Sequence, residues 1–183
     1  MSRSPTPSLV AFCGGKSHGK TTAAQVLIDA GYIPVNFADP LKQACTLIYG
    51  LHDIEMEDAV IKETPLKRWP FLSPRQIMQH VGTDLFRNWL PETWANAYDL
   101  KVTPLLAAGH KIVTSDTRFL NEVPRIKRGG RGLLIRVHDP RKPLGKDPHP
   151  SEVEAMSLPQ DWTILNDRTV DDLRQAVRML AGV

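Results

Sequence analysis

Residues Gly14-Gly15-Lys16-Ser17-His18-Gly19-Lys20-Thr21 match the spacing G-x-x-x-x-G-K-[ST] at every fixed position. These residue types at this spacing suit one kind of chemistry. Glycines let consecutive backbone N–H groups turn inward and converge on phosphate oxygens. The following helix adds the positive end of its dipole. Lys20 supplies a point charge for β- and γ-phosphates, and the Thr21 hydroxyl, with Thr22 next to it, suits a nucleotide-bound Mg2+. The expectation is an ATP cradle. An accidental glycine-rich turn would lack the apolar run before it (9–13) and the helix-forming run after it (20–30). The motif does not by itself separate small-molecule kinases from GTPases, helicases or transport ATPases.

Other side chains could handle the group that receives phosphate. Asp39 follows the apolar run 32–37 and precedes Pro40. At the carboxyl end of a strand it would point into the pocket; before an N1-type proline it also suits a helix N-cap. Asp116 ends the run Ile112-Val113-Thr114-Ser115, the form of a strand whose carboxylate reaches a Mg2+ shell, and Arg118 follows as a phosphate fork or as a salt-bridge partner of Asp116. Arg75 and Gln79 share one face if helical and could bind a base edge or a phosphate. Trp89 and Trp94 read as core before they read as base-stacking platforms. Residues 139–152 are polar, basic and rich in Pro and Gly, the composition of a lid, with Arg141, Lys142 or Lys146 reaching transferred phosphate. His149, between two prolines, reads as structural.

Positioning these groups requires strands alternating with helices. Five β-rich runs (9–13, 32–37, 111–115, 132–137 and 162–165) are separated by helical stretches. That order predicts an α/β three-layer P-loop fold, a five-stranded parallel sheet with helices on both faces. Pro34 places the second strand at an edge or a strand start. The chain reads as one domain of 183 residues: core 9–38, 109–138 and 160–183, a helical insertion 39–108 and a lid 139–152. Pro104 should kink or split the last helix of the insertion. Thr169 and Asp172 should cap a final helix whose apolar stripe is Val170, Leu173, Val177 and Leu180.

Composition excludes several classes. Net charge +3 comes from scattered basic residues, which favours a phosphate pocket over a nucleic-acid surface while leaving the latter open. Cys13 and Cys45 lack metal or disulfide spacing, which points to a reducing cytoplasm. No apolar run approaches the ~20 residues of a membrane span. The first eight residues lack the apolar centre of a secretion signal.

Taken together and in order, the P-loop, Phe37-Ala38-Asp39-Pro40-Leu41-Lys42, the stretch from Gln79 to Arg87, Ser115-Asp116-Thr117-Arg118-Phe119 with Asn121 and Glu122, His149-Pro150-Ser151-Glu152, and Ile164-Leu165-Asn166-Asp167 resemble the deoxynucleoside monophosphate kinases of tailed bacteriophages. The resemblance spans about residues 9–180. It implies transfer of the ATP γ-phosphate to a deoxynucleoside monophosphate for phage DNA synthesis, on an adenylate-kinase-like fold with a helical monophosphate-binding region and a lid. It further implies that Asp39, Lys42, Arg75, Gln79, Arg87, Asp116, Arg118 and Glu152 face the acceptor and that Asn166 lies beside the adenine. A two-fold homodimer is the default assembly. Residues 51–72 match none of these motifs, so base preference is not read. One alternative keeps the fold and changes the acceptor to hydroxymethylpyrimidine bases in phage DNA, with Arg125, Lys127, Arg128 and Arg131 on the DNA backbone. A nucleotide switch or motor is disfavoured, since neither an NKxD base motif nor a helicase-like second motif is present.

Overall fold

The computed structural model describes residues 6–130, 132–142 and 153–183. Five parallel strands, β1 (Leu9–Cys13), β2 (Ile33–Pro34), β3 (Ile112–Thr114), β4 (Gly132–His138) and β5 (Trp162–Leu165), form one sheet in the order β2-β3-β1-β4-β5. The central position of β1 explains its composition. All five of its residues are buried, and a strand covered on both faces has no polar side to alternate with.

Helices cover both faces. On one, α1 (Lys20–Asp29) and α7 (Val170–Ala181) bring Ala23, Ala24, Leu27, Leu173, Val177 and Ala181 against Val10, Phe12, Val113, Ile135 and Val137. On the other, α6 (Val123–Lys127) packs against β1 and β4 with Ile126 fully buried. The Thr169 hydroxyl accepts from Asp172 N–H, and the Asp172 carboxylate accepts in return from Thr169 N–H. The expected capping box is thus present. The apolar stripe is shifted from expectation: Val170, in the first turn, is exposed, Leu180 is half-buried, and Ala181 completes the row with Leu173 and Val177.

β2 is an edge strand and shorter than the run 32–37. Ile33 N–H and Val35 N–H donate to Lys111 and Val113 carbonyls (2.8 and 3.0 Å). Pro34, which has no N–H, falls between these two ladder bonds, where none is required.

The chain forms two compact units, residues 1–36 with 99–183, and residues 37–98. In the second lie α2 (Asp39–Tyr49), α3 (Asp53–Glu57), α4 (Pro74–Gln79) and a π-helical stretch (His80–Arg87). Cys45, Leu51, Met56, Leu66, Ile77, Met78 and Val81 make its core, with Leu41, Tyr49 and Phe86 packed against them. Trp94 belongs to this unit's interior: its indole N–H donates to Gly82 O at 2.7 Å and its ring meets Phe86 edge-on. Trp89 does not; it is 74% exposed, contrary to the core reading.

α5 (Thr93–Ala107) runs through Pro104 as one helix rather than splitting there. The missing N–H of Pro104 releases only the carbonyl of Leu100, an exposed residue whose carbonyl water can satisfy. Residues 99–107 count with the sheet unit, so the helical unit is shorter than 39–108. Asp99 explains the division, since it pairs with both Arg125 and Arg128. Cys13 and Cys45 are buried free thiols. Among the described residues no helix is long and apolar enough to cross a membrane.

Two substitutions test these contacts. Thr169→Ala should cost about 1 kcal/mol through loss of the cap. Trp94→Phe should cost about 1 kcal/mol, because it removes the indole bond to the buried Gly82 carbonyl. Both are read from urea unfolding followed by circular dichroism; an unchanged Trp94→Phe midpoint would show that the indole bond does not hold this helix.

Candidate active site

The loop between β1 and α1 has the backbone its sequence requires. Gly14 and Gly19 adopt φ of 122° and 105°, a region that side chains with a Cβ avoid. Ser17 also sits at φ 63°, a left-handed geometry costing roughly 1–2 kcal/mol for a residue with a side chain. Gly19 is the N-cap of α1, carries no capping side chain, and is followed by no acidic residue in the first turn. That end of the helix is therefore electrostatically suited to an anion. Lys20 lies across the loop, its ammonium donating to Gly14 O at 2.8 Å and Gly15 O at 2.6 Å. Lys16, Ser17 and Thr21 are exposed, while Thr22 is half-buried.

The end of β3 stands next to this loop because β3 pairs with β1. Ala11 is opposite Thr114; two residues further on in the same register, Asp116 comes level with Cys13, one residue before the loop. Asp116 and Arg118 are both half-buried. Two polar groups hold this strand end. Asn36 Oδ1 accepts from the Ser115 N–H (2.9 Å) and hydroxyl (3.1 Å), tying the end of β2 to the end of β3. The buried Glu122 carboxylate accepts from Arg118 N–H (2.8 Å) and Phe119 N–H (3.1 Å), fixing the turn on which Arg118 rides. Asn36 escaped sequence reasoning and Glu122 was read only as a neighbour of Arg118. The available signal was a polar residue within a few positions of a strand's carboxyl end. Burial raises the Cys13 thiol pKa despite the opposing influence of Arg136 and Lys20, so this thiol stays neutral beneath the loop.

β4 and β5 end against the same loop. The Asp139 N–H donates to His18 Nδ1 at 3.0 Å, and the Asn166 side-chain amide donates to His18 O at 3.1 Å. Asn166, expected beside adenine, thus buttresses the phosphate loop from below. Arg141, expected in the lid, is engaged with the strand ends. Its guanidinium grips the Asp139 carboxylate (2.9 and 3.1 Å) and donates to Asn166 O (2.9 Å). These bonds hold Asp139 well below the usual carboxylate range, at about 2. Lys142 donates to Ser17 O. Arg141 is thus a strut between strand ends. Lys146, His149 and Glu152, as well as Arg131, lie outside the described residues.

The second unit carries the other expected acceptor residues. Asp39 is the first residue of α2; Ala38 is its N-cap and makes no side-chain cap bond, so Asp39 is not the cap it resembled. Lys42, one turn later, pairs with Glu57 of α3 at 2.6 Å. Arg75 and Gln79 lie one turn apart on α4, and Arg75 Nε donates to Glu63 at 2.7 Å. Arg87 ends the π-helical stretch. All five are half-buried, on elements that share the core around Ile77 and Val81. The described structure therefore gathers Lys20, Asp116, Arg118 and Asn166 in the sheet unit, and Asp39, Lys42, Arg75, Gln79 and Arg87 in the helical one.

Comparison with known proteins follows the same lines. No family model matches the chain. A protein of Acanthamoeba polyphaga mimivirus, provisionally named a deoxynucleotide monophosphate kinase, is 38% identical over 177 residues, covering 90% of this chain and 91% of its own. Among solved structures, dephospho-CoA kinase from Campylobacter jejuni superposes with a TM-score of 0.58 at 13% identity, over 96% of each chain. Shikimate kinase from Aquifex aeolicus superposes with a TM-score of 0.50 at 12% identity, over 95% of this chain and 96% of its own. The two structures share the fold, and the mimivirus protein shares the sequence: the chain is a P-loop kinase and belongs to the deoxynucleotide monophosphate kinase family that the mimivirus protein represents.

Proposed function

We propose that this kinase transfers the γ-phosphate of ATP to a deoxynucleoside monophosphate, giving ADP and the deoxynucleoside diphosphate for DNA precursor supply. The observation that carries the reading is the P-loop with Asp116 and Arg118 on the neighbouring strand end, in a chain related to the mimivirus protein. In the transfer the bond from the γ-phosphorus to its bridging oxygen breaks and one forms to an acceptor phosphate oxygen. A phosphoryl group in flight needs little covalent help, so positioning and charge neutralisation dominate.

Lys20 exchanges its loop carbonyls for phosphate oxygens and follows charge as it moves to the β–γ bridge. Arg118, on a turn fixed by Glu122, offers a planar fork to the transferred group. The donor set of the Thr21 hydroxyl and Asp116 carboxylate fits Mg2+, which takes hard oxygen ligands and keeps others from water and phosphate; bound there, it would neutralise β- and γ-oxygens. Asp39, Lys42, Arg75, Gln79 and Arg87 are assigned to the acceptor: three cations for its phosphate, a carboxylate and an amide for its sugar and base.

No observation favours DNA as the acceptor. Of the cations proposed for the DNA backbone, Arg125 and Arg128 are paired with Asp99 and Lys127 with Asp161. A phosphate backbone would have to displace these carboxylates.

A coupled ADP-release assay across deoxy- and ribonucleoside monophosphates tests the reading. Turnover is expected with at least one deoxynucleoside monophosphate; label passing from ATP only into hydroxymethyluracil-containing duplex would overturn the acceptor. Lys20→Ala should reduce transfer by roughly a hundredfold or more while circular dichroism stays native. Arg87→Ala should raise the acceptor KM and leave the KM for ATP in place. An unmoved acceptor KM would remove Arg87 from the site.

A further inference from the structure

Four residues from three separate segments close a ring of hydrogen bonds around the phosphate loop. His18 Nδ1 accepts from Asp139 N–H (3.0 Å), and the Asp139 carboxylate accepts from Arg141. Arg141 donates to Asn166 O (2.9 Å), and the Asn166 amide donates back to His18 O (3.1 Å). The ring joins the loop to the ends of β4 and β5. It passes through the side chain of His18, although the motif places no demand on side-chain identity at that position.

His18 is 1% exposed, and its ring sits against that of His138 at 5.4 Å between centroids. An ideal Cβ on Gly15 would lie 2.6 Å from His18 Nε2, so the ring fills the space a side chain at residue 15 would occupy. Because Nδ1 accepts, the proton of the neutral ring is on Nε2, and Nε2 has no partner among the described residues. A buried donor without a partner is disfavoured and persists where the surrounding structure requires it. Here the requirement is the bond at Nδ1, which fixes both tautomer and ring orientation.

We propose that His18 is a positioning residue for ATP: its neutral ring latches the phosphate loop to Asp139, and this latch holds the loop's amides in their phosphate-binding arrangement. Protonation of Nδ1 replaces the acceptor with a second donor and opens the ring of bonds. Asp139 and Arg141 keep their charges throughout the range in which an imidazole titrates, since Arg141 holds Asp139 at about 2. The other groups facing His18 are His138, Lys20 and Lys142. Burial first, then His138 and Lys20, hold the His18 pKa below its ordinary value. The latch is therefore intact above about pH 6.5 and is lost as pH falls through the lowered value.

The inference rests on ATP occupying the phosphate loop and not on the identity of the acceptor. It is tested by calorimetric binding of a non-hydrolysable ATP analogue with magnesium and no acceptor. Wild type is compared with His18→Asn, whose Oδ1 can take the Nδ1 position without titrating. As pH falls from 7.5 through the range in which His18 takes up its proton, wild type should lose roughly five- to tenfold in affinity relative to His18→Asn, the worth of about one hydrogen bond. The comparison at each pH cancels ionisation of the nucleotide. His138→Asn, which removes one of the groups holding the His18 pKa down, should keep the loss and move it to higher pH, and His18→Ala should bind weakly throughout that range. Parallel pH curves for wild type and His18→Asn would overturn the latch, as would wild-type affinity in His18→Ala. A separate readout independent of nucleotide is the imidazole 15N spectrum at pH 7.5. It should show a proton on Nε2 and an accepting Nδ1 at His18, and the opposite tautomer would also overturn the proposal.

Discussion

A phosphate loop must hold several amides pointing inward, and this requires backbone that is intrinsically unfavourable. Gly14, Ser17 and Gly19 all have positive φ, and Ser17 does so with a side chain. Left to itself such a segment would relax into ordinary turns. What keeps it is its seat at the end of a strand that is wholly buried, between β3 on one side and β4 on the other. The neighbours supply bonds where the loop has carbonyls to satisfy: Lys20 at Gly14 and Gly15, Lys142 at Ser17, Asn166 at His18. Four of the loop's carbonyls are thereby engaged.

The same logic extends to the adjacent strand end. β3 is short, and the residues beyond it have no ladder to hold them. Asn36 and Glu122 replace the ladder with side-chain acceptors for the N–H groups of Ser115, Arg118 and Phe119. Asp116 and Arg118 thus stand on a turn whose backbone donors are anchored on both sides. In the proposed transfer a carboxylate and a guanidinium so placed benefit from such rigidity, because geometry errors near 1 Å are costly in transfer reactions.

How much of this the sequence reveals depends on the range of the interaction. β1 and β3 are legible because burial on both faces produces uninterrupted apolar runs, whereas β4 and the edge strand β5, where only Ile164 is buried, are legible as short apolar runs bounded by turn residues. The P-loop is legible because its constraints lie within eight residues. The cap of α7 is likewise a contact across three residues. β2 is shorter than its apolar run because pairing ends at the Val35 bond to Val113, and Phe37 beyond it is buried by stacking on Tyr98 instead. Trp89 and Trp94 lie five positions apart with the same residue type, and periodicity cannot tell which one reaches Gly82. The π-helical stretch has no local signature either, since its Gly82 carbonyl is engaged by an indole twelve residues later. Val170 misled because a residue in the first turn of a helix can fall outside the face that meets the sheet. The His18 ring of bonds was invisible for the plainest reason, as it joins positions 18, 139, 141 and 166.

The ion pairs of Lys42, Arg75 and Arg141 differ in which partner is covered. Lys42 and Arg75 are held by Glu57 and Glu63, whose side chains are 62% and 43% exposed. The cations themselves are 26% and 17% exposed, so in both pairs the carboxylate faces water while the cation is largely covered. Arg141 is different although its own side chain is largely exposed, because its partner Asp139 is 4% exposed and accepts three bonds from it. Removing the guanidinium would leave a buried carboxylate uncompensated, which is far more costly than losing a surface pair. By that measure the Arg141 pair is the costliest of the three to break. Arg141 thereby ties the ends of β4 and β5 together beneath the loop.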